Sequence, residues 1–487
     1  MPTPIAFGTD GWRAIIAEEF TFPNVRALAA SVARLLHATG MAERGLVVGW
    51  DTRFASDRFA EAVAEVVTAA GIKVYLAESF APTPACSYMV LKQRAGGGVV
   101  ITSSHNPAAY NGFKYKPEYA GSASPEIVAQ LEAPLAEILA AGEPPRLPLA
   151  EGERRGLVHR LDFRKPYLDR LAELVDLEAI RSSGLRLAVD SMYGAGQRCF
   201  AELLARGTCR VTELHAEWNP RFPGLHAPEP IARNLDLLAE TMRLPEGELG
   251  EENGPAFDIG LATDGDADRL GVMDERGNFV NQLQVFALLA YYFLEIRGER
   301  GAIVRSLTTT RMVDRLGEIY GVPVEETAVG FKYVGPRMMA LNALLGGEES
   351  GGYAFRGHIP ERDGVLAGLY MLDLVARTGK RPSELIQALY EKVGPHYYDR
   401  VDIPFPPERR GEIFARLEET RPREIAGLRV VGTSRLDGFL YNLDGGGWLL
   451  IRFSGTEPLM RVYTEVRDER LVRPVLEEGQ RLAGVAH

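Results

Sequence analysis

Asp264, Asp266 and Asp268 alternate in the stretch FDIGLATDGDADRLGVMDERG, after the apolar run Ile259 to Ala262 and directly before Arg269. Three carboxylates this close repel one another unless a cation neutralises them, and hard oxygen ligands suit Mg²⁺ or Ca²⁺ better than zinc. A solvated acidic turn is the plainer alternative. A helix–loop–helix calcium site does not fit, because an apolar stretch precedes Glu275 and no suitable helices flank the run. The pattern predicts a divalent-metal site, with Mg²⁺ preferred if a phosphate completes its shell.

A second stretch, GGVVITSSHNPAAYNGFKYK, begins as a short buried strand and empties into Thr102, Ser103, Ser104, His105 and Asn106 before Pro107. A serine hydroxyl is a poor nucleophile without a base or a ready electrophile. His105 follows Ser104 directly, so on an extended strand the two side chains would point opposite ways. No G-x-S-x-G elbow is present either. A serine that carries a phosphoryl group beside Mg²⁺ needs no base while it is the donor, because the metal and nearby cations stabilise the charge.

Two further stretches are suggestive. In LLGGEESGGYAFRGHIPERDG, a glycine turn presents Glu348, Glu349 and Ser350, and carboxylates suit hydroxyl groups that donate hydrogen bonds. A glycine-rich surface loop with incidental acids is the alternative. In IRFSGTEPLMRVY, Arg452, Ser454, Gly455, Thr456 and Arg461 combine cations and hydroxyls around a glycine, which is the composition of a phosphate cradle. Arg13 in FGTDGWR, Arg53 in GWDTR and Lys332 in VGFKY each place a cation in or beside a glycine-containing loop; singly, each reads as an ordinary surface residue.

These residues need elements to hold them. The chain has 487 residues, too many for one core, so several domains are expected. A strand, polar loop, amphipathic helix, strand pattern recurs from Gly45, Leu185 and Gly301, with strands expected to be buried on both faces and joined by right-handed crossovers. From His396 strands dominate, with helices around Glu412 and Leu476, as in a small α+β unit on an antiparallel sheet. Seams are expected at Glu151 to His159, at Val280 to Gln284 and at the stretch GPHYYD, and AGEPPRLPLAEGE reads as a loop or linker.

The net charge of −11 argues against non-specific binding to nucleic acid or to an anionic membrane surface. Cys86, Cys199 and Cys209 form no CxxC pair, as expected of free thiols in a reducing cytoplasm. MPTPIAFGTDGWR lacks the basic and apolar parts of a leader, and VFALLAYYFLEI is too short to span a bilayer and reads as a buried helix. A cytoplasmic protein acting on a small molecule is expected, as monomer or homodimer.

In order along the chain, TSSHNP, DGDADR, GEES and RFSGTEPLMR together resemble the α-D-phosphohexomutase superfamily, over nearly the whole length from FGTDGWR to RVY. That resemblance implies an α/β protein of four domains around a central cleft, three similar α/β units and a smaller C-terminal α+β lid. The divisions expected are 1–158, 159–281, 282–395 and 396–487. It implies a phosphoserine at Ser104, with Ser104, Asp264, Asp266 and Asp268 as Mg²⁺ ligands and Arg269 on the phosphoryl group. Glu348 and Ser350 would contact sugar hydroxyls, and Arg452, Ser454, Gly455, Thr456 and Arg461 the substrate's non-reacting phosphate. Arg13, His105, Lys114 and Lys332 match active-site positions around the phosphoserine or on the transferring proton.

The activity implied is interconversion of hexose 1- and 6-phosphates through a hexose 1,6-bisphosphate that turns end for end in the cleft. Many relatives carry histidine two residues after the sugar-loop serine, where this chain has Gly352; Lys332 or His358 would take that role, or His105 and Lys114 would suffice. GEES looks most like phosphoglucomutase loops, so glucose is expected first, with mannose or glucosamine as alternatives. A Mg²⁺-dependent sugar-phosphate phosphatase is a different reaction on the same acids. A sensor that has lost catalysis would be expected to lack Ser104 or the aspartates.

Overall fold

The computed structural model describes residues 5–8, 10–244, 256–454 and 459–485. The first sheet contains β1 (Trp12–Ile15), β2 (Leu46–Trp50), β3 (Val74–Ala77), β4 (Gly97–Ile101), β5 (Tyr110–Pro117) and β6 (Val158–Leu161), in the order β1-β5-β4-β2-β3-β6. The second has β7 (Arg186–Asp190), β8 (Arg210–Leu214), β9 (Ile259–Thr263), β10 (Leu270–Met273) and β11 (Phe279–Val280), ordered β11-β10-β9-β7-β8. The third orders β12 (Ile303–Ser306), β13 (Val324–Thr327), β14 (Leu345–Gly347) and β15 (Tyr353–Phe355) as β13-β12-β14-β15.

Reduced to four strands, the three sheets are one pattern: β3-β2-β4-β5, β8-β7-β9-β10 and β13-β12-β14-β15. In each, three strands run parallel and the fourth turns back antiparallel. The three repeats read from the sequence are the first strand, helix and second strand of these units. The turn from the last parallel strand to the antiparallel one then spans 102–109, 264–269 and 348–352. Three of the four chemistry-bearing stretches therefore occupy one topological position, at the carboxyl end of a parallel strand, where open α/β sheets place their ligands.

Two sequence expectations change. The seam expected at Glu151 to His159 is occupied by a helix, Leu149–Arg154, and by β6, which pairs parallel with β3 and buries Val158. The first unit thus runs past 158, and the linker AGEPPRLPLAEGE ends in a helix that begins directly after Pro148. Burial on both faces holds for β2, β7 and β12, whereas β8 and β13 are half-exposed because each is the last strand of its sheet. The segment read as a buried helix is one: a helix over Gln282–Tyr291, opened by an Asn281–Gln284 capping box, widens into a π-turn over Tyr292–Ile296.

One continuous apolar core joins the first three units, running from Cys86 and Met89 through Phe200 and Leu261 to Phe286 and Leu369. The C-terminal unit is separate. Its strands β16 (Tyr397–Pro404), β17 (Glu424–Ile425), β18 (Leu428–Ser434), β19 (Phe439–Leu443), β20 (Trp448–Phe453) and β21 (Leu459–Val466) form an antiparallel sheet in the order β16-β21-β20-β19-β18-β17. Its own core, around Ile413, Leu449, Val462 and Val475, lies between that sheet and two helices. It meets the third unit through a small patch of Leu307 against Leu440, Trp448, Leu450 and Tyr463.

At this seam Glu465 is buried, and its Oε1 accepts the Arg311 N–H at 2.8 Å. Burial pushes its carboxyl up to about 8. The folded protein then keeps a proton that the unfolded chain releases, so stability falls as pH rises from the ordinary glutamate range toward 8. Glu465→Gln should melt like the wild type near pH 4.5 and at a progressively higher relative temperature toward pH 8. A difference that is constant across this range would contradict the assignment.

Candidate active site

Each functional loop begins where a buried parallel strand runs out. In the first, Ser104 has φ +51°, the left-handed region that non-glycine residues avoid. Its hydroxyl donates to Asp264 Oδ2 at 2.7 Å, and its N–H donates to Thr102 Oγ1 at 2.9 Å. His105 does not point away from the serine, as it would on an extended chain. The left-handed turn instead brings its Nδ1 to 3.4 Å from Ser104 Oγ. The acceptor at shorter range is Asp264 at 2.7 Å, and His105 at 3.4 Å is the more distant neighbour of the serine oxygen. Burial, followed by the charges of Arg269, Arg13 and Lys114, holds the imidazole well below its usual range, so it is neutral at neutral pH.

The second loop carries the aspartates. One oxygen from each of Asp264, Asp266 and Asp268 lies within 4.8 Å of the others, and all three residues are buried. Lys114, on β5, sends its ammonium to Asp266 Oδ2 at 2.8 Å, Asp268 Oδ2 at 3.2 Å and Asp10 Oδ2 at 2.9 Å. Burial and the neighbouring carboxylates raise Asp264 well above the carboxylate range. Burial pushes Asp266 the same way, but the Lys114 ammonium overrides it and holds Asp266 down. Thr83 also donates to Asp266 Oδ2, at 2.5 Å. This leaves Asp266 Oδ1 and Asp268 Oδ1 buried with no hydrogen-bond partner. Two orphaned carboxylate oxygens beside Asp264 and the Ser104 hydroxyl are a donor set that fits a hard divalent cation.

Arg269 follows the trio, with its N–H on Asp264 Oδ1 at 3.1 Å and its guanidinium on Glu229 at 3.1 Å. Arg13, on β1, reaches the serine loop through Asn106 Oδ1 at 2.8 Å.

The third loop is built against both others. Leu270 N–H donates to Gly351 C=O at 2.9 Å, tying this loop to the strand that follows the aspartates. Glu348 Oε1 accepts the Gly330 N–H at 2.7 Å, which ties this loop to the turn before Lys332. Burial raises the Glu348 carboxyl against the pull of Arg362 and Arg269. Ser350 Oγ is buried without a hydrogen-bond partner, an unused group that a sugar hydroxyl would satisfy. Lys332 is half-buried beside the Tyr333 ring at 5.4 Å and makes no ion pair among the described residues. His358 does not join the site: its Nε2 is held by Asp363 at 2.9 Å and its ring lies near Tyr88 and Tyr167.

From the C-terminal unit, Arg452 and Arg461 stand opposite each other on β20 and β21. Arg452 Nε lies 3.0 Å from Asp437, and Arg461 Nε lies 3.6 Å from Asp402. Ser454 closes β20, with its N–H on Leu459 C=O at 2.9 Å. Gly455 and Thr456 lie outside the described residues. Glu349 does not stand free in the third loop: its Oε1 accepts from both Tyr398 and Arg400 at 2.8 Å, linking the loop to the C-terminal unit.

Several residues of the site carry no sequence signal of their own. Asp10 sits beside Arg13 in FGTDGWR, and Glu361 and Arg362 sit in IPERDG. Arg362 bridges Asp10 at 2.5 Å and Asp268 at 3.0 Å, while Lys116 bonds Glu361 at 2.5 Å and Asp10 at 3.3 Å. A buried ion network of this kind has no sequence period by which to find it.

Sequence profiles of the phosphoglucomutase/phosphomannomutase family match the chain in four parts: α/β/α domain I over 4–141, domain II over 165–277, domain III over 281–393 and the C-terminal domain over 413–479. A phosphoglucomutase/phosphomannomutase of Thermococcus kodakarensis is 32% identical, covering 98% of each chain. A phosphoglucosamine mutase of Cereibacter sphaeroides is 31% identical, covering 97% of each. The crystal structure of a protein of Thermus thermophilus, provisionally named a phosphomannomutase, superposes with a TM-score of 0.84 at 35% identity, covering 99% of this chain and 100% of that one.

Gly265 shows how tightly the first two loops fit, since a Cβ there would stand 2.4 Å from the Ser104 carbonyl oxygen. Gly265→Ala must therefore push the serine loop off the aspartates. Turnover should fall by about 10²-fold or more, the usual cost of an ångström-scale misplacement. Circular dichroism should stay native; a folded variant with wild-type turnover would contradict this packing.

Proposed function

The chain belongs to the phosphoglucomutase/phosphomannomutase family, and from that premise we propose that it interconverts α-D-glucose 1-phosphate and glucose 6-phosphate through a phosphorylated Ser104. The observation that carries this reading is the Ser104 hydroxyl, 2.7 Å from Asp264 in a buried loop, on an oxygen that faces a cluster of three carboxylates. Such a cluster calls for a cation, and a serine beside a bound cation suits a phosphoryl carrier.

Asp264, Asp266 and Asp268, with an oxygen on Ser104, would hold Mg²⁺, which when bound supplies neutralisation of the charge that develops on the transferring group. Phospho-Ser104 gives its phosphoryl group to the free hydroxyl of the hexose phosphate: the P–Oγ bond breaks, a P–O bond to the sugar forms, and the sugar's proton passes by way of a base to the Ser104 oxygen. The bisphosphate turns end for end and returns its other phosphoryl group to Ser104. Glu348 and Ser350 hold sugar hydroxyls, Arg269 the transferring group, and Arg452, Ser454, Gly455, Thr456 and Arg461 the other phosphate. His105, Lys114, Arg13 and Lys332 surround the transfer. Neutral His105 can accept the proton. Lys114 is fully committed to three carboxylates, which raise its pKa despite burial, so it is a donor.

Glucose is proposed over mannose or glucosamine because of the Gly-Glu-Glu-Ser loop. The sugars mannose and glucose differ at one hydroxyl, and one hydrogen bond is worth about 1 kcal/mol, so mannose 1-phosphate should be a second substrate. The relatives' names cover all three sugars. Exclusion of water by the C-terminal unit is required to keep phospho-Ser104 from hydrolysis.

Ser104→Ala should lose mutase turnover completely while keeping its fold and its binding of glucose 1-phosphate; undiminished isomerisation would refute the proposal. Asp266→Ala should lose most activity and also the rise in melting temperature that Mg²⁺ gives the wild type, and an equal rise in both proteins would contradict the metal assignment. In a coupled assay over the glucose, mannose and glucosamine 1-phosphates, kcat/KM should rank glucose first and mannose second. Steady release of inorganic phosphate in place of isomer would favour a phosphatase.

A further inference from the structure

Arg53, in the sequence GWDTR, is assigned no part in the chemistry above, yet its side chain is fully buried between β2 and the serine loop. Its Nη2 donates to the carbonyls of Ser104 at 2.7 Å and Asn106 at 2.5 Å, and its Nη1 to those of Pro107 at 2.9 Å and Tyr110 at 3.0 Å. One guanidinium thus gathers three carbonyl groups of the serine loop, including that of the nucleophile's own residue, and the carbonyl of Tyr110, which opens β5. Behind it, Asp51 lies 3.3 Å from Arg53 Nε, and its Oδ1 accepts from the Arg53 N–H and from Ser56 Oγ. The Phe222 ring of the second unit covers the guanidinium at 5.1 Å.

We propose that Arg53 is a positioning residue for phosphoryl transfer, holding Ser104 in its left-handed conformation so that Oγ faces the aspartates. A serine at φ +51° is disfavoured by about 1–2 kcal/mol and persists only where its surroundings enforce it. Here both backbone groups of Ser104 are anchored, the N–H by Thr102 Oγ1 at 2.9 Å and the C=O by Arg53. With these anchors the hydroxyl meets Asp264; with φ relaxed to negative values it would swing off the metal site. Only a planar fork with several donors can bond four carbonyls from one side. A lysine there would keep the charge opposite Asp51 but lose the fork. This role rests on the phosphoserine reading and adds to it the residue that aims the serine.

The test is Arg53→Lys against wild type, with glucose 1,6-bisphosphate labelled in its phosphates. Transfer to the enzyme breaks a sugar O–P bond, forms the Ser104 Oγ–P bond and leaves the serine's proton on the sugar oxygen. The single-turnover labelling rate and kcat should fall by about 10²-fold in Arg53→Lys, with KM for glucose 1-phosphate within about threefold of wild type. The fraction of labelled enzyme lost to inorganic phosphate should rise, because a misaimed phosphoserine meets water more often than substrate. A purely structural role would lower the melting temperature without this split, and a folded Arg53→Lys with the wild-type labelling rate overturns the proposal. Should Arg53→Lys not fold, Thr102→Val decides: it removes the anchor on the Ser104 N–H together with the Thr102 bond to Asp51, the carboxylate behind Arg53, and the same split supports enforced aiming of Ser104 whereas an unchanged rate overturns it. Wild type that takes no label at all overturns the phosphoserine reading, and the role of Arg53 with it.

Discussion

Bringing Asp264, Asp266 and Asp268 together beneath the surface is the constraint on which the rest of the site depends. Three buried charges of one sign cannot stay ionised in a low-dielectric interior without cations, and removing one partner of such a set costs about 3–5 kcal/mol. The protein supplies two of the cations itself. Lys114 comes from the first unit and Arg362 from the third, while the aspartates belong to the second. Asp10, Glu361 and Lys116 extend the network back into the first and third units. The electrostatic demand of one loop is thereby what fastens three units around one point, and the orphaned Oδ1 atoms of Asp266 and Asp268 mark where the remaining charge is wanted.

The geometry that satisfies this demand is repetition. The same parallel-to-antiparallel turn occurs three times, and each copy carries different side chains, with the serine at Ser104, the carboxylates at Asp264 to Asp268, and a buried carboxyl and hydroxyl at Glu348 and Ser350. Glycines without room for a Cβ let the turns touch, as at Gly265 against Ser104. Backbone bonds such as Leu270 to Gly351 fix their relative height. The C-terminal unit, with its own core and only a small apolar seam, is attached differently. Polar links such as Glu349 to Arg400 and Tyr398 join it to the third unit, in contrast to the continuous apolar packing among the first three units.

Much of this is legible in the sequence because it obeys local rules. An apolar run marks the strand before Asp264, helical spacing marks the three repeats, and composition alone sets apart the strand-rich region from His396. What stays hidden is set by tertiary contact. Nothing local says that Val158 belongs to the first sheet, or that Arg362 will reach Asp268. The extended-strand expectation for His105 fails because Ser104 turns left-handed, with its carbonyl held by Arg53 from outside the loop. Arg53 is visible as a cation in a loop, but its four carbonyl partners are more than fifty residues away in the chain, beyond any periodicity.

The central claim, that the phosphate of each product comes from the enzyme and not from its own substrate molecule, can be tested by isotope crossover. Glucose 1-phosphate with ¹³C in the sugar is mixed with unlabelled-sugar glucose 1-phosphate carrying ¹⁸O in its non-bridging phosphate oxygens, and the glucose 6-phosphate formed is weighed by mass spectrometry. Transfer through Ser104 predicts statistical scrambling of ¹⁸O-phosphate onto ¹³C-sugar. Product in which every sugar keeps its original phosphate would contradict the account.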